Sequence, residues 1–92
     1  MKKRKAFAKA FKTLRLEKEL TQEDFYEFSG RTYISELERM IKTPTIEKID
    51  ELCKIFEVHP LSLLALTYKY AEPKTSLDDL LKTIKSEIEH LL

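Results

Sequence analysis

The chain has 92 residues, of which 36% are charged and 42% hydrophobic, with a formal net charge of +1. This balance is typical of one soluble globular domain, and because no run of about 18 apolar residues occurs, no membrane-spanning segment is predicted. Glycine and proline are scarce, which leaves few hairpin turns or phosphate-cradling loops and predicts an all-α fold. A single cysteine, Cys53, excludes an internal disulfide and favours a reducing, cytoplasmic setting.

The positive charge is concentrated at the start of the chain. Residues 1–18 are strongly basic, with Glu17 as their one acidic residue, and the remainder is net acidic. Residues 1–5 are predicted to form a basic N-terminal arm. Two interpretations are open for it: contact with phosphates, or a solvated tail that only aids solubility.

Apolar residues recur at three- and four-residue steps from position 7, which predicts a first helix from about Lys5 to Lys18. Thr21, with Asp24 three residues later, is typical of a capping box and predicts the start of a second helix. Its apolar positions are Phe25 and Phe28. Ser29-Gly30 interrupts the pattern, and the chain's single glycine predicts a tight turn with positive φ.

A third helix is predicted from about Thr32 to Met40, with a buried side of Ile34, Leu37 and Ile41. Its opposite side carries Thr32, Ser35, Glu36 and Arg39. A loop over residues 42–45 supplies Thr43 or Thr45 as the cap of a fourth helix. The inner stripe of that helix is predicted to be Ile46, Ile49, Leu52, Cys53 and Phe56.

The last third of the chain predicts two more helices. Pro60 suits the first turn of a helix that extends to about Tyr70. A linker over residues 72–75 precedes Ser76 and Asp79, another capping-box-like pair. The final helix carries a heptad-spaced stripe, too short for a coiled coil on its own, of Leu77, Leu81, Ile84, Ile88 and Leu91.

The fifth helix is apolar on most sides. One face, suited to the domain core, consists of Leu61, Leu64, Ala65 and Tyr68. A second face is expected to remain uncovered in a monomer and to form a homodimer interface with the final stripe; its residues are Leu63, Leu66 and Tyr70. Packing of the final helix back onto its own domain is the alternative.

Two short helices joined by a tight turn indicate a helix-turn-helix, whose second helix enters the DNA major groove. The most specific segment is Arg31-Thr32-Tyr33-Ile34-Ser35-x-Leu37-Glu38-Arg39. It is preceded by Leu14-Arg15-x-x-x-x-Leu20-Thr21-Gln22-Glu23-Asp24-Phe25 and followed by Pro44-Thr45-x-x-x-Ile49. This pattern, over about residues 7–58, resembles the Cro and lambda-repressor-like (Xre) family of helix-turn-helix regulators. It also looks like the controller proteins of restriction-modification systems.

The resemblance implies a five-helix lambda-repressor-like DNA-binding bundle over residues 6–71. The heptad-spaced stripe adds a C-terminal amphipathic helix over residues 76–92, predicted to serve dimerisation. It implies a sequence-specific transcriptional regulator of double-stranded DNA that binds a pseudo-palindromic operator as a homodimer. Arg15 and Glu38 match a pair that forms a buried salt bridge in the family. The resemblance implies that Gln22 contacts DNA, that Arg31, Thr32 and Glu36 read base edges, and that Lys42 and Thr43 touch phosphate. The full set of predicted DNA-contacting residues is Thr21, Gln22, Arg31, Thr32, Tyr33, Ser35, Glu36, Arg39, Lys42 and Thr43. For Arg39, phosphate contact and a solvated helix end are both open.

Three positions depart from the family pattern. Two residues fewer than usual separate Gly30 from the Tyr-Ile-Ser run, so the turn is tighter or the first helix of the motif is shorter. Met40 stands where a glycine commonly ends the recognition helix. Tyr26 is bulky where a small residue often lets the two helices cross, so the helix angle is expected to differ.

No catalytic constellation is visible, and the chain is not predicted to be an enzyme or to hold a metal, cofactor or small-molecule ligand. His59 and His90 lie at no ligand spacing with Cys53, which sits on an apolar stripe. The acidic pair Asp78-Asp79 fits the first turn of a helix, where it complements the helix dipole. The alternative function is a protein-interaction adaptor that has lost DNA binding.

Overall fold

Six α-helices follow one another in the computed structural model, which describes all of residues 1–92. No strand is present, so the predicted all-α class is confirmed. A 3₁₀ turn over Gln22–Phe25 precedes α2, and another over Glu89–Leu91 follows α6. No helix is both long and apolar enough to cross a membrane. The helices are α1 (Lys3–Glu17), α2 (Tyr26–Ser29), α3 (Tyr33–Glu38), α4 (Ile46–Phe56), α5 (Pro60–Ala71) and α6 (Leu77–Ile88).

Three phenyl rings form the centre of the core. Phe11 of α1, Phe25 of the 3₁₀ turn and Phe56 of α4 have ring centroids 5.0–5.4 Å apart, in tilted or edge-to-face arrangements that aromatic pairs favour. All three were predicted to be buried, and all three are. The other fully buried large side chains around them are Ile34, Leu37, Leu52, Cys53 and Leu63. The core therefore joins both helices of the predicted DNA-binding motif to α1, α4 and α5.

The predicted N-terminal arm is wrong, because helix α1 already begins at Lys3 and its first turn packs against the end of α5. The Lys3 ammonium lies 4.9 Å from the centroid of the Tyr68 ring and 3.4 Å from the carboxylate of Glu72. The amino group of Met1 donates to the carbonyl of Ala71 at 3.3 Å. Contacts with Tyr68, Ala71 and Glu72 thus hold the N-terminal segment in place, although its charge alone suggested a free tail.

Three helices end in the same hydrogen-bonding arrangement, a Schellman motif, with a residue other than glycine in the left-handed conformation. Glu19, Met40 and Glu57 have φ of 57°, 65° and 58° after α1, α3 and α4. At the end of α3, the amide of Ile41 donates to the carbonyl of Glu36 at 2.8 Å, and that of Met40 donates to Leu37 at 3.1 Å. Glycine usually occupies this position because a Cβ is strained there. Met40 therefore performs the turn that the family assigns to glycine.

Three side chains predicted to be buried are exposed. Phe28 is 52% exposed because α2 is a single turn with no buried residue, and Phe25 of the preceding 3₁₀ turn makes the core contact instead. Ile41 follows the reversal at Met40 and is 53% exposed. Ile46, 83% exposed, is the first residue of α4 and precedes the part of that helix that meets the core.

The two predicted faces of α5 are exchanged. Leu63 is fully buried, and Leu66 and Tyr70 are partly buried against the core, although Leu66 also lines the groove between α5 and α6. In contrast, Leu61 and Tyr68 are exposed although they were predicted to be core residues. The cause is the docking of α1, which covers one side of α5 and fixes its rotation. The prediction of Leu63 and Tyr70 as dimer-interface residues is therefore wrong, whereas the role of Leu66, which lines this groove, stays a prediction.

The final helix α6 begins as predicted and buries none of its residues. The Ser76 hydroxyl accepts from the amide of Asp79 at 3.0 Å, which caps the helix after the linker. The radius of gyration of 13.9 Å exceeds the roughly 12 Å expected for a compact chain of this length. The molecule is accordingly elongated, with a longest extent of 41 Å.

Candidate nucleic-acid interface

A tight turn joins α2 to α3 and sets the geometry of the candidate interface. The amide of Gly30 closes α2 by donating to the carbonyl of Tyr26 at 2.9 Å. Gly30 has φ of 79°, a conformation that side-chain-bearing residues rarely adopt, so the predicted role of this glycine is confirmed. Only Arg31 and Thr32 then separate it from α3. The missing length is accommodated by a first helix that is one 3₁₀ turn followed by one α-turn.

The start of the motif is fixed by the predicted pair of polar residues. The carboxylate of Asp24 accepts from the backbone amide of Thr21 at 2.7 Å and from its hydroxyl at 3.2 Å. Thr21 is exposed. Its hydroxyl is nevertheless engaged within the chain.

A lysine that the sequence analysis did not single out supports the turn from α4. The Lys48 ammonium donates to the carbonyl of Phe28 at 2.9 Å, lies 3.3 Å from the carboxylate of Glu51, and is 5.3 Å from the Tyr33 ring centroid. Cations near the C-terminal end of a helix stabilise its unpaired carbonyls. Lys48 thus joins the end of α2, the start of α3 and α4. No sequence signal indicated this, because Lys48 follows Phe28 by twenty residues.

Tyr33 is half-buried beneath two cations. The Lys42 ammonium lies 5.8 Å from its ring centroid, in addition to Lys48. Burial, with a smaller contribution from the charge of Glu51, raises the pKa of Tyr33 above its usual 10.0. The phenol is therefore neutral at physiological pH. Its ring supports Lys42 and lies against the core more than it presents itself to solvent.

Arg15 and Glu38 lie together between α1 and α3, with side chains 10% and 7% exposed. The guanidinium donates from Nε to Oε2 at 2.7 Å, from Nη2 to Oε1 at 3.0 Å, and from Nη1 to the carbonyl of Leu20 at 3.0 Å. The amide of Gln22 also donates to Oε1 of Glu38, at 3.4 Å. This network ties the recognition helix to α1, and it orients Gln22 at the start of the motif.

The outer side of the α3 region carries the other predicted base-contacting residues. Arg31 and Thr32 are exposed at its entry. Ser35 is half-buried, and its hydroxyl accepts from Nε of the exposed Arg39 at 3.1 Å. The carboxylate of Glu36, with its side chain 19% exposed, lies 3.5 Å from the ammonium of Lys42. The surface is therefore polar, with donors and an acceptor that can engage base edges or phosphates.

The loop after α3 shares a shallow cleft with the first turn of α1. The cleft, about 200 Å³, is lined by Lys3 and Arg4 on one side and by Thr43 and Pro44 on another. Lys42, beside this loop, has a side chain that is 51% exposed. Helix packing thus brings Lys3 and Arg4 of the basic N-terminal segment towards this loop.

His59 and Cys53, the residues considered above as possible metal ligands, both have structural roles. The imidazole of His59 accepts the amide of Leu61 at 3.0 Å and caps α5. Burial, reinforced by the charge of Asp50, raises the pKa of Cys53 from 9.0 to about 11. Because the thiolate is the nucleophilic form, the thiol of Cys53 is unreactive at neutral pH.

The chain matches a family model described as Helix-turn-helix over residues 11–63. This range extends from the middle of α1 to the first half of α5, which is more than half of the chain and includes α2, α3 and the turn between them. No curated protein and no solved structure matches the chain.

Proposed function

The chain belongs to the Xre/Cro-like helix-turn-helix family of DNA-binding regulators. From this premise we propose that it is a sequence-specific transcriptional regulator that inserts α3 into the major groove of a pseudo-palindromic operator as a homodimer. Helices of this type contact base edges with side chains at their start and on their outer face. Phosphate contacts from flanking elements fix their position on the duplex.

The observation that carries the proposal is the pair of exposed polar side chains at the entry of α3. The side chains of Arg31 and Thr32 make no hydrogen bond to the rest of the chain, although the carbonyl of Thr32 accepts from the amide of Glu36 at 2.9 Å and the preceding turn is held by Gly30 and Lys48. A rigid turn with unengaged donors beside a short helix suits contact with base edges. Arginine in particular donates two parallel hydrogen bonds to guanine.

We assign different tasks to the remaining residues. Glu36 is proposed to accept from the amino group of a cytosine, and Lys42 to leave Glu36 for a phosphate when DNA is bound. Ser35 and Arg39 form the far end of the same outer face. Tyr33 acts indirectly, because its ring positions Lys42. Thr21, Gln22 and Thr43 are proposed to contact the sugar-phosphate backbone of the DNA at the two ends of the motif, with Arg4 beside Thr43.

The shortness of α3 favours a dimer. Six helical residues present few side chains to base edges, and one such helix supplies little discrimination between sequences. Two copies related by a two-fold axis would place their recognition helices about 34 Å apart, on successive major grooves. The proposed operator is therefore two inverted half-sites separated by about one helical turn.

A salt titration of binding to random-sequence duplex DNA tests the DNA-binding part of this proposal. Affinity should fall steeply as salt rises, because bound cations are released from each neutralised phosphate. Lys42→Ala should reduce the slope by about one. Lys82→Ala, which removes an equal charge from an exposed position on α6, is the matched control and should leave the slope unchanged. The adaptor alternative predicts no binding even at low salt.

A further inference from the structure

An apolar groove lies between α5 and α6. Its two parts, about 550 and 380 Å³, share Leu61 and Ala65 of α5 and Leu81 of α6. Eight of the fourteen large hydrophobic side chains that are exposed in the whole chain fall in residues 61–92, and α6 has no buried residue. An apolar surface of this extent, concentrated at one end of a small molecule, indicates an interface.

The exposed stripe on α6 has the spacing of a coiled-coil core. Its members, separated by four, three, four and three residues, are each at least 40% exposed: Leu77, Leu81, Ile84, Ile88 and Leu91. Three of them, Leu77, Leu81 and Ile84, also line the groove. A helix that alternates in this way packs against another helix of the same spacing. A second copy of α6 has that spacing.

The charges beside the stripe distinguish among the possible arrangements of two α6 helices. One flank carries Asp78 and Lys85, and the other carries Leu80 and Glu87. When two such helices run antiparallel with Leu81 level with the partner's Ile84, each Asp78 lies opposite the partner's Lys85. Because of the two-fold axis, this arrangement forms two Asp78–Lys85 ion pairs across the interface. Such flanking pairs set helix orientation.

The alternatives are electrostatically poorer. Shifting the antiparallel helices by one heptad places Lys85 opposite the partner's Lys85 and Glu87 opposite the partner's Glu87, which is repulsive. A parallel pair places Lys85 opposite the partner's Leu80, with no ion pair across the interface. Within one chain, Lys85 has only a loose contact with Glu89, at 4.0 Å, so it is free to take a partner's carboxylate.

We propose that two copies of this chain associate through α6, antiparallel and centred between Leu81 and Ile84, with each α6 seated in the α5–α6 groove of its partner. The orientation and register are fixed by the reciprocal pairs Asp78–Lys85. This inference rests on the proposed homodimer and names its interface. It transfers the interface from the buried side of α5 to the side that Leu61 and Tyr68 expose.

Charge reversal at the two positions, singly and together, tests the register by sedimentation equilibrium of the full chain. Asp78→Lys and Lys85→Asp each place like charges across the interface twice and should weaken dimerisation about tenfold. The double variant restores both pairs with exchanged signs and should dimerise within about twofold of the parent. Lys54→Asp reverses a charge on the exposed side of α4, away from Asp78 and Lys85, and should change the dissociation constant less than about twofold. Additive losses in the double variant would overturn the register.

Disulfide trapping gives a second measurement that does not depend on the strength of a salt bridge. A mixture of Asp78→Cys and Lys85→Cys chains should form mixed dimers on oxidation, and neither variant alone should cross-link efficiently. The native Cys53 does not interfere because it is buried. An efficient homodimeric cross-link from either variant alone would place identical positions opposite each other, as in an antiparallel pair shifted by one heptad, and would refute the proposed register. If the parent chain sediments as a monomer, the homodimer fails as well, whereas a parent dimer that fails both tests refutes this interface alone.

Discussion

The guanidinium of Arg15 and the carboxylate of Glu38 share two parallel hydrogen bonds, of 2.7 and 3.0 Å, across the contact between α1 and α3. Both side chains are almost removed from solvent. Breaking such a pair leaves one buried charge without a partner, so Arg15→Ala should lower the free energy of unfolding by about 3 kcal/mol. Urea unfolding followed by circular dichroism measures this loss.

A double variant separates two contributions to the loss of stability: the cost of a buried charge without a partner, and the loss of packing by the two side chains. Arg15→Met combined with Glu38→Met removes both charges and retains most of the volume, so it should recover much of the stability lost in Arg15→Ala. An unchanged urea midpoint in Arg15→Ala would show that the pair does not hold α1 and α3 together.

A second prediction concerns base recognition by Glu36. Glu36→Gln keeps the shape of the side chain and replaces an acceptor by an amide that also donates, as adenine recognition requires. The preferred base at one position of each half-site should therefore change, by about 1–3 kcal/mol of discrimination. Selection of bound sequences from a random pool, done in parallel for parent and variant, measures this. An identical preferred sequence would remove Glu36 from base contact.

The left-handed residues at the helix ends provide a third prediction. Glu57→Gly and Met40→Gly should each raise stability by up to about 1 kcal/mol. Removing Cβ strain of roughly 1–2 kcal/mol outweighs the greater freedom of glycine in the unfolded chain. Glu57→Ala is the matched control, since alanine retains the strain and loses only the charge. If Glu57→Ala raised stability as much as Glu57→Gly, the gain would come from removal of the Glu57 charge and not from relief of backbone strain.

The raised pKa of Cys53 predicts a pH dependence of stability. The folded protein holds its thiol proton up to a pKa of about 11, whereas the unfolded chain releases it near 9.0. The unfolded state therefore binds fewer protons between these values, and stability that is complete below pH 9 is lost as the pH rises. Between pH 9 and 10 the slope should approach about 1 kcal/mol per pH unit. Cys53→Ala should abolish most of this slope, and an equally steep slope in that variant would contradict the assignment.

Helix positions and the recognition motif followed from local patterns in the sequence. The Thr21–Asp24 and Ser76–Asp79 caps, the Gly30 turn and the phenylalanine core all depend on residues that are near one another in the chain or share one helix face. The pairing of Arg15 with Glu38 was implied by family resemblance, since the two residues are twenty-three positions apart.

What the sequence did not predict depends on how helices rotate against each other. α5 is apolar on several sides, so its composition could not decide whether Leu63 or Leu61 would face the core. Contact with α1 determines which face of α5 is buried, and the same contact includes the basic N-terminus, which forms the first turn of α1. The support of the turn by Lys48 is likewise a tertiary contact without a local signature.

The central claim is that this chain recognises a specific, two-fold symmetric DNA sequence. Its most direct test is selection from a random duplex pool by the full-length protein, followed by measurement of affinity for the enriched sequence and a scrambled one. The account predicts two inverted half-sites about one helical turn apart, bound at least about 10³-fold more tightly than the scrambled duplex. A pool that shows no enriched sequence, or equal affinity for both duplexes, would contradict it.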